Sequence, residues 1–226
     1  KVLPKPETNK TLIINNPHLK KALEYLETTL SSSVDPSGGV FYPEYFRKFF
    51  TLNDLTQKGA LIGVRIEGPT NSVDHRIEKL CKELDILNDE FSILDQEQSN
   101  IFWEKTRRLQ VFTKLKGSLL RIVVPASETF EVIQKLKSYE INYFLDWGGS
   151  LIWLQLEHIN IKVLKEIKEI VSKMLGYLTV VKIEEDMKAS IDVFSVDPIK
   201  YKISEKIKKS FDPKRILNPG KMYSGI

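Results

Sequence analysis

SLLRIVVPASETFEVIQKLKSYEINYFLDWGGSLIWLQLEHINIKVLKEIKEIVSKMLGYLTVVKI, residues 118–183, reads as strand, helix, strand, strand, helix, strand. Ser118 to Val124 alternates apolar Leu120, Ile122 and Val124 against Arg121, the period of a half-covered strand. Ser127 is placed to cap a helix that runs to about Lys137. Asn142–Leu145 and Leu151–Leu156 then form a pair around the turn Asp146-Trp147-Gly148-Gly149. Ile161, Leu164, Ile167, Val171 and Met174 recur on one face of a strongly amphipathic helix, and Leu178–Ile183 closes the unit as a strand.

The amino-terminal part spells the same order in unrelated residues. Thr11–Asn15 is a strand; Asn16 can cap the next helix, with Pro17 in its first turn and Leu19, Leu23, Leu26 and Leu30 at helical spacing. A turn-rich stretch, Ser31–Gly39, leads to Val40-Phe41-Tyr42, an aromatic segment from Tyr45 to Leu52, and the strand Ala60–Glu67, ended by Gly68-Pro69. The helix from about Asn71 to Leu84 puts Val73, Ile77, Leu80, Cys81 and Leu84 on one face, which assigns Cys81 to the core, and Phe91–Leu94 is the strand that follows. Each half is thus the split βαβ pattern of a ferredoxin-like unit.

Between the halves, Asp95 and Gln98 have the spacing of a capping box, opening a helix with Phe102, Trp103 and Arg107. Beyond them, Asp197-Pro198 opens a last helix with Ile199, Ile203 and Ile207, followed by Phe211-Asp212-Pro213 and Asn218-Pro219-Gly220. The expected class is α+β: two ferredoxin-like βαββαβ units forming one largely antiparallel sheet covered by helices, plus a carboxyl-terminal helix and tail. Residues 1–226 read as one domain, with halves 11–95 and 118–184, a connecting helix in 96–117, and the last helix and tail in 185–226.

The chain has 226 residues, of which 42% are hydrophobic, enough to close a core. Its 34 basic and 30 acidic residues interleave to a net charge of +4, without the basic stripe that nucleic acid requires. A single cysteine, Cys81, excludes an internal disulfide or a cysteine-built metal site within one copy and fits a reducing cytoplasm. No apolar run nears the roughly 18 residues of a transmembrane segment. The start, KVLPKPETNK, has no signal-type apolar stretch and opens mid-phrase, as though cut from a longer sequence.

The ending FDPKRILNPGKMY, residues 211–223, joins two proline-fixed turns after an amphipathic helix. It resembles the carboxyl terminus of the FAD-linked oxidases of the vanillyl-alcohol oxidase superfamily, where such a phrase lies against the flavin domain. Asp146-Trp147-Gly148-Gly149 with Trp153 resembles the W-G-G and W pattern of GlcE, the FAD-binding subunit of glycolate oxidase. KVLPKPE looks like the passage from flavin domain to cap, and Val64–Gly68 like the strand that follows. The resemblance implies the cap, or substrate-side, part of an FAD-dependent oxidase of a small 2-hydroxy acid such as glycolate.

Two departures accompany the resemblance. His18, His75 and His158 lie outside any histidine-rich phrase of the lactate-dehydrogenase kind; the first two read as solvated residues in first helical turns, and His158 follows the strand carrying Trp153. The only Gly-Gly pairs, 38–39 and 148–149, do not open a helix in a parallel βαβ unit, so the chain alone is not expected to hold FAD. The implied partners are an FAD-binding domain or polypeptide and other glycolate oxidase subunits, through which the protein could sit peripherally at a membrane.

Oxidation of a hydroxy acid needs a cation for the carboxylate and a base for the hydroxyl proton, while the flavin takes the hydride. Arg65 and Arg121 each read either as that cation or as a solvated arginine on a half-covered sheet. Arg107 and Arg108 follow Trp103 on the connecting helix and are either a carboxylate fork or ordinary surface charge. Trp147 and Trp153 are either pocket walls or core; Gly148 and Gly149 allow close backbone approach or positive φ. Phe211, Asp212, Asn218, Pro219 and Gly220 are assigned to the flavin-domain interface, and the catalytic base is not identifiable. A competing reading is a binding or subunit-contact module that has lost its flavin domain. RNA recognition through the ferredoxin-like pattern is disfavoured, since strands Ala60–Glu67 and Leu178–Ile183 carry no aromatic residue for stacking bases.

Overall fold

The computed structural model describes residues 4–50, 59–86, 91–195 and 197–221. Eight strands, β1 Thr8–Asn15, β2 Gly38–Tyr42, β3 Leu61–Gly68, β4 Phe91–Leu94, β5 Ser118–Val123, β6 Asn142–Asp146, β7 Leu151–Leu156 and β8 Tyr177–Lys182, alternate with six helices. The helices are α1 Leu19–Ser31, α2 Thr70–Glu83, α3 Gln96–Arg107, α4 Ala126–Leu136, α5 Ile161–Lys173 and α6 Pro198–Phe211. The fold is α+β, antiparallel strands with helices packed on them, as the residue pattern leads one to expect. The chain divides into two compact units, Lys1–Leu115 with Tyr143–Ile152, and Lys116–Asn142 with Trp153–Ile226.

In the first unit the strand order β4-β1-β3-β2 is that of a ferredoxin-like βαββαβ unit. β6 joins at β2, where Phe41 pairs with Leu145. The register of β1 and β3 sets Leu12 opposite Val64 and Ile14 opposite Ile62 on one face, with all four buried. Helix α2 packs on these strands and buries Val73, Ile77 and Leu80. The opposite face, with Thr11, Gly63 and Arg65, is covered by α3, whose Phe102 ring fills the space a β-carbon on Gly63 would need. There the aromatic segment folds into a 3₁₀ turn, Glu44–Phe49, that carries Phe46 into a cluster with Tyr42, Phe50, Phe102, Phe112 and Phe144. Residues 51 and 52 of that segment lie outside the described residues.

In the second unit the order is β7-β5-β8, with Arg121 opposite Thr179 and a register shift between Leu119 and Leu120. Residues 193–195 extend it as a short edge: Val180 N donates to Val193 O at 2.8 Å and Ser195 N to Leu178 O at 2.9 Å. Helices α4 and α5 pack on each other and bury Val132, Ile133, Leu164, Ile167 and Val171.

Several caps differ from the residue-level expectation. The capping box of α3 is present in both directions between Asp95 and Gln98. Asn16 does not cap α1: its N–H donates to Ala60 O at 2.7 Å in a left-handed turn, so the cap moves to His18, whose Nδ1 accepts from Lys21 N at 3.2 Å. Ser127 falls inside the first turn of α4 because the link from β5 is short, and Pro125 occupies the cap position without a side-chain bond.

Candidate functional site

Helix α3 presents Trp103 toward β1 and β2. The indole Nε1 donates to Thr11 Oγ1 at 2.8 Å, and the ring lies where a β-carbon on Gly38 would be 2.8 Å from Cη2. One turn on, Arg107 forks onto Glu104 through Nε at 2.9 Å and Nη2 at 2.7 Å, and Arg108 donates to the same carboxylate. The two guanidiniums hold the Glu104 carboxyl below its ordinary range, and Glu104 neutralises one of their two charges. Arg65, half-buried, pairs with Glu67 at 3.0 Å. Arg65, Asn100, Trp103, Glu104 and Arg107 line an open groove of about 570 Å³.

The β6–β7 turn borders a second hollow of about 410 Å³, lined by Gly38, Gly39, Trp103, Thr106, Arg107, Asp146, Trp147 and Gly148 among others. Asp146 Oδ1 accepts from Trp147 N at 2.7 Å, and Trp147, Gly148 and Gly149 all take positive φ, at 51°, 63° and 99°. The glycines are required by α1: a β-carbon on Gly148 would stand 2.1 Å from Leu30 Cδ1, and one on Gly149 2.8 Å from Leu23 Cδ2. Packing against α1 therefore accounts for the Gly-Gly step, and the turn leaves the Trp147 ring 56% exposed at the rim. Behind it, Tyr42 donates to Thr106 Oγ1 at 3.0 Å; burial pushes its hydroxyl far above the ordinary tyrosine range, so Tyr42 stays protonated.

Of the residues singled out in the sequence, Trp103, Arg107, Trp147 and Gly148 meet in this hollow, and Arg65 lines the groove that shares Trp103 and Arg107. Arg121 and Trp153 lie in the second unit, half-buried on β5 and β7. His18, His75 and His158 are exposed, and Cys81 is only half-buried, at the border of the core to which periodicity assigned it. Among the described residues, no group of three or more His, Cys, Asp or Glu is placed to hold a metal ion, and no helix is long and apolar enough to cross a membrane.

Two features are not legible in the sequence alone. Helix α6 buries none of its side chains: Ile199, Ile203, Ile207 and Phe211 form an exposed row at 72%, 53%, 55% and 86%, continued by Ile216 and Leu217. The other is the role of Asp212, which organises the tail. Its carboxylate accepts from Lys208 Nζ at 2.8 Å, Ile216 N at 3.0 Å and Leu217 N at 2.9 Å, and these donors hold it down at about 2. The tail ends in a turn closed from Lys221 N to Asn218 O, with Pro219 and Gly220 at the positions a type II turn assigns them.

Residues 188–222 match the family described as FAD linked oxidases, C-terminal domain. Across 99% of its length the chain is 22% identical to glycolate oxidase subunit GlcD of Bacillus subtilis (strain 168), covering 53% of that protein. It is 26% identical to glycolate oxidase subunit GlcE of Escherichia coli (strain K12) over 72% of the chain and 39% of the relative. Over residues 188–222 the chain is similar to the C-terminal domain of the FAD-linked oxidases.

The chain spans about half the length, or less, of these curated relatives. The fold is shared with 4-ethylphenol oxidase from Gulosibacter chungangensis (TM-score 0.62, 14% identity, 99% of this chain and 55% of that one) and with p-cresol methylhydroxylase (0.62, 15%, 98% and 54%). The two Gly-Gly steps do not fit a pyrophosphate cradle: Gly38-Gly39 opens β2 under Trp103 and Leu26, and Gly148-Gly149 is filled by α1. The family match falls on α6 and the tail, the part of the chain with the most uncovered apolar surface.

Proposed function

We propose that the chain is the substrate-side cap of an FAD-dependent oxidase or dehydrogenase of small 2-hydroxy acids, working with a flavin-binding domain or polypeptide that contacts α6 and the tail. The observation that carries this reading is the extent of the match: nearly the whole chain aligns with about half of a glycolate oxidase subunit. The exposed row Ile199, Ile203, Ile207 and Phe211 supports it, since a helix apolar on its outer face calls for a covering partner. In this reading Phe211, Asn218, Pro219 and Gly220 touch the flavin domain, and Asp212 holds their turn in shape. Residues 11–95 and 118–184 act as two ferredoxin-like halves of one cap. In the first unit Arg65 and Arg107 are the candidate carboxylate anchors, with Trp103 and Trp147 as walls; in the second unit the candidates are Arg121 and Trp153. FAD, bound by the partner, supplies the hydride acceptor; this chain positions and encloses the acid. The bulk of the partner set, including further glycolate oxidase subunits and a peripheral place at a membrane, follows from the same analogy.

The test is anaerobic mixing with a flavin-binding polypeptide of the same organism. Addition of glycolate or D-lactate is expected to bleach the flavin only when both polypeptides are present. Bleaching by the flavin polypeptide alone at an unchanged rate would show that the cap has no part in catalysis.

A further inference from the structure

The end of β1 holds a second site, independent of the flavin reading. Arg47, on the 3₁₀ turn Glu44–Phe49, donates from Nη2 to Asn15 Oδ1 at 2.8 Å. Three further donors at this corner, Asn15 Nδ2 and Arg47 Nε and Nη1, are buried and reach no acceptor. Asn15 itself is 8% exposed. Among the described residues no carboxylate pairs with Arg47, although Glu44 starts the same turn. On the same 3₁₀ turn, Phe49 O accepts from Lys105 Nζ at 3.1 Å, and Lys48 Nζ lies 5.7 Å from the centre of the Phe49 ring.

Arg47 is half-buried, and two of its nitrogens lie withdrawn from water with no acceptor; an unpaired charged donor costs more to bury than an unpaired amide, and a paired anion supplies both acceptor and counter-charge. Water would satisfy the three N–H donors, but it brings no negative charge. We propose that the Asn15–Arg47 corner binds a small monoanion, a carboxylate or a halide. The ion accepts from the orphaned donors and neutralises the Arg47 guanidinium. So held, it ties the end of β1 to the aromatic turn.

The whole chain, in a buffer whose anion is a bulky sulfonate, is titrated at constant ionic strength with sodium chloride or sodium acetate while the Arg47 Nε–H resonance is followed by NMR. A saturable displacement, with the thermal unfolding midpoint rising in parallel, is expected; the two salts separate halide from carboxylate. Asn15→Asp keeps the acceptor for Nη2 and supplies the charge covalently, so it is expected to raise the midpoint and abolish the anion response. A resonance that drifts without saturating, or an N15D protein that responds as strongly as the unaltered chain, overturns the site. Should N15D fail to fold, the titration of the unaltered chain decides alone.

Discussion

Gly148 is the residue on which the β6–β7 turn depends. An added methyl would stand 2.1 Å from Leu30 Cδ1, on a backbone with φ of 63°. Left-handed strain and overpacking together predict that Gly148→Ala loses about 2–4 kcal/mol in denaturant unfolding. Retained stability would show that α1 yields at this contact. Asp212 makes a different prediction, in pH. Its folded value of about 2 lies below the roughly 3.9 of an unperturbed aspartate. Its contribution to tail order is therefore fully present above about pH 4 and is lost as pH falls through about 2. Amide exchange at Ile216 and Leu217 should accelerate over that window, and Asp212→Asn should show fast exchange already at neutral pH. Exchange indifferent to both changes would mean that the tail is ordered by something other than this carboxylate.

At the scale of the element, α5 and α6 are both amphipathic in sequence, yet their apolar faces have opposite fates. Ile167 of α5 is fully buried, while Ile203 and Ile207 of α6 are more than half exposed. Ile167→Ala should therefore cost about 2–5 kcal/mol, whereas Ile203→Asp should change the stability of the isolated chain by less than about 0.5 kcal/mol. The same Ile203→Asp should weaken association with the flavin-binding partner by at least about tenfold, roughly 1.4 kcal/mol. Comparable destabilisation of the isolated chain by both substitutions would contradict the assignment of α6 as a contact face. The contrast also marks what the sequence could and could not reveal. Element order and the α3 capping box were readable because they depend on neighbours a few residues apart. The cap of α1 was misplaced because Asn16 answers to Ala60, more than forty positions away. Likewise, Gly148 and Gly149 pack against the distant Leu23 and Leu30, a constraint that no local pattern reveals. Periodicity gave α6 an apolar face but could not say what covers it.

For the whole molecule, the α+β fold is the one the residue pattern predicts, and the candidate site is where sequence reasoning falls shortest. Trp103, Arg107, Trp147 and Gly148 come together in one hollow, a convergence no spacing rule could reveal because they come from a helix and a hairpin about forty residues apart. Arg121 and Trp153 belong to the other unit and are not part of this hollow. The chain matches about half of its glycolate oxidase relative, and its most exposed apolar surface lies in the segment that identifies the family. The central claim, a cap that requires a separate flavin carrier, is tested most directly by sedimentation velocity of this chain mixed with a flavin-binding polypeptide of the same organism, monitored at the visible absorbance of FAD. The flavin boundary is expected to shift to a faster, one-to-one complex, and the chain alone to sediment without flavin. A flavin boundary unmoved by excess chain, or stoichiometric FAD sedimenting with the chain by itself, would contradict it.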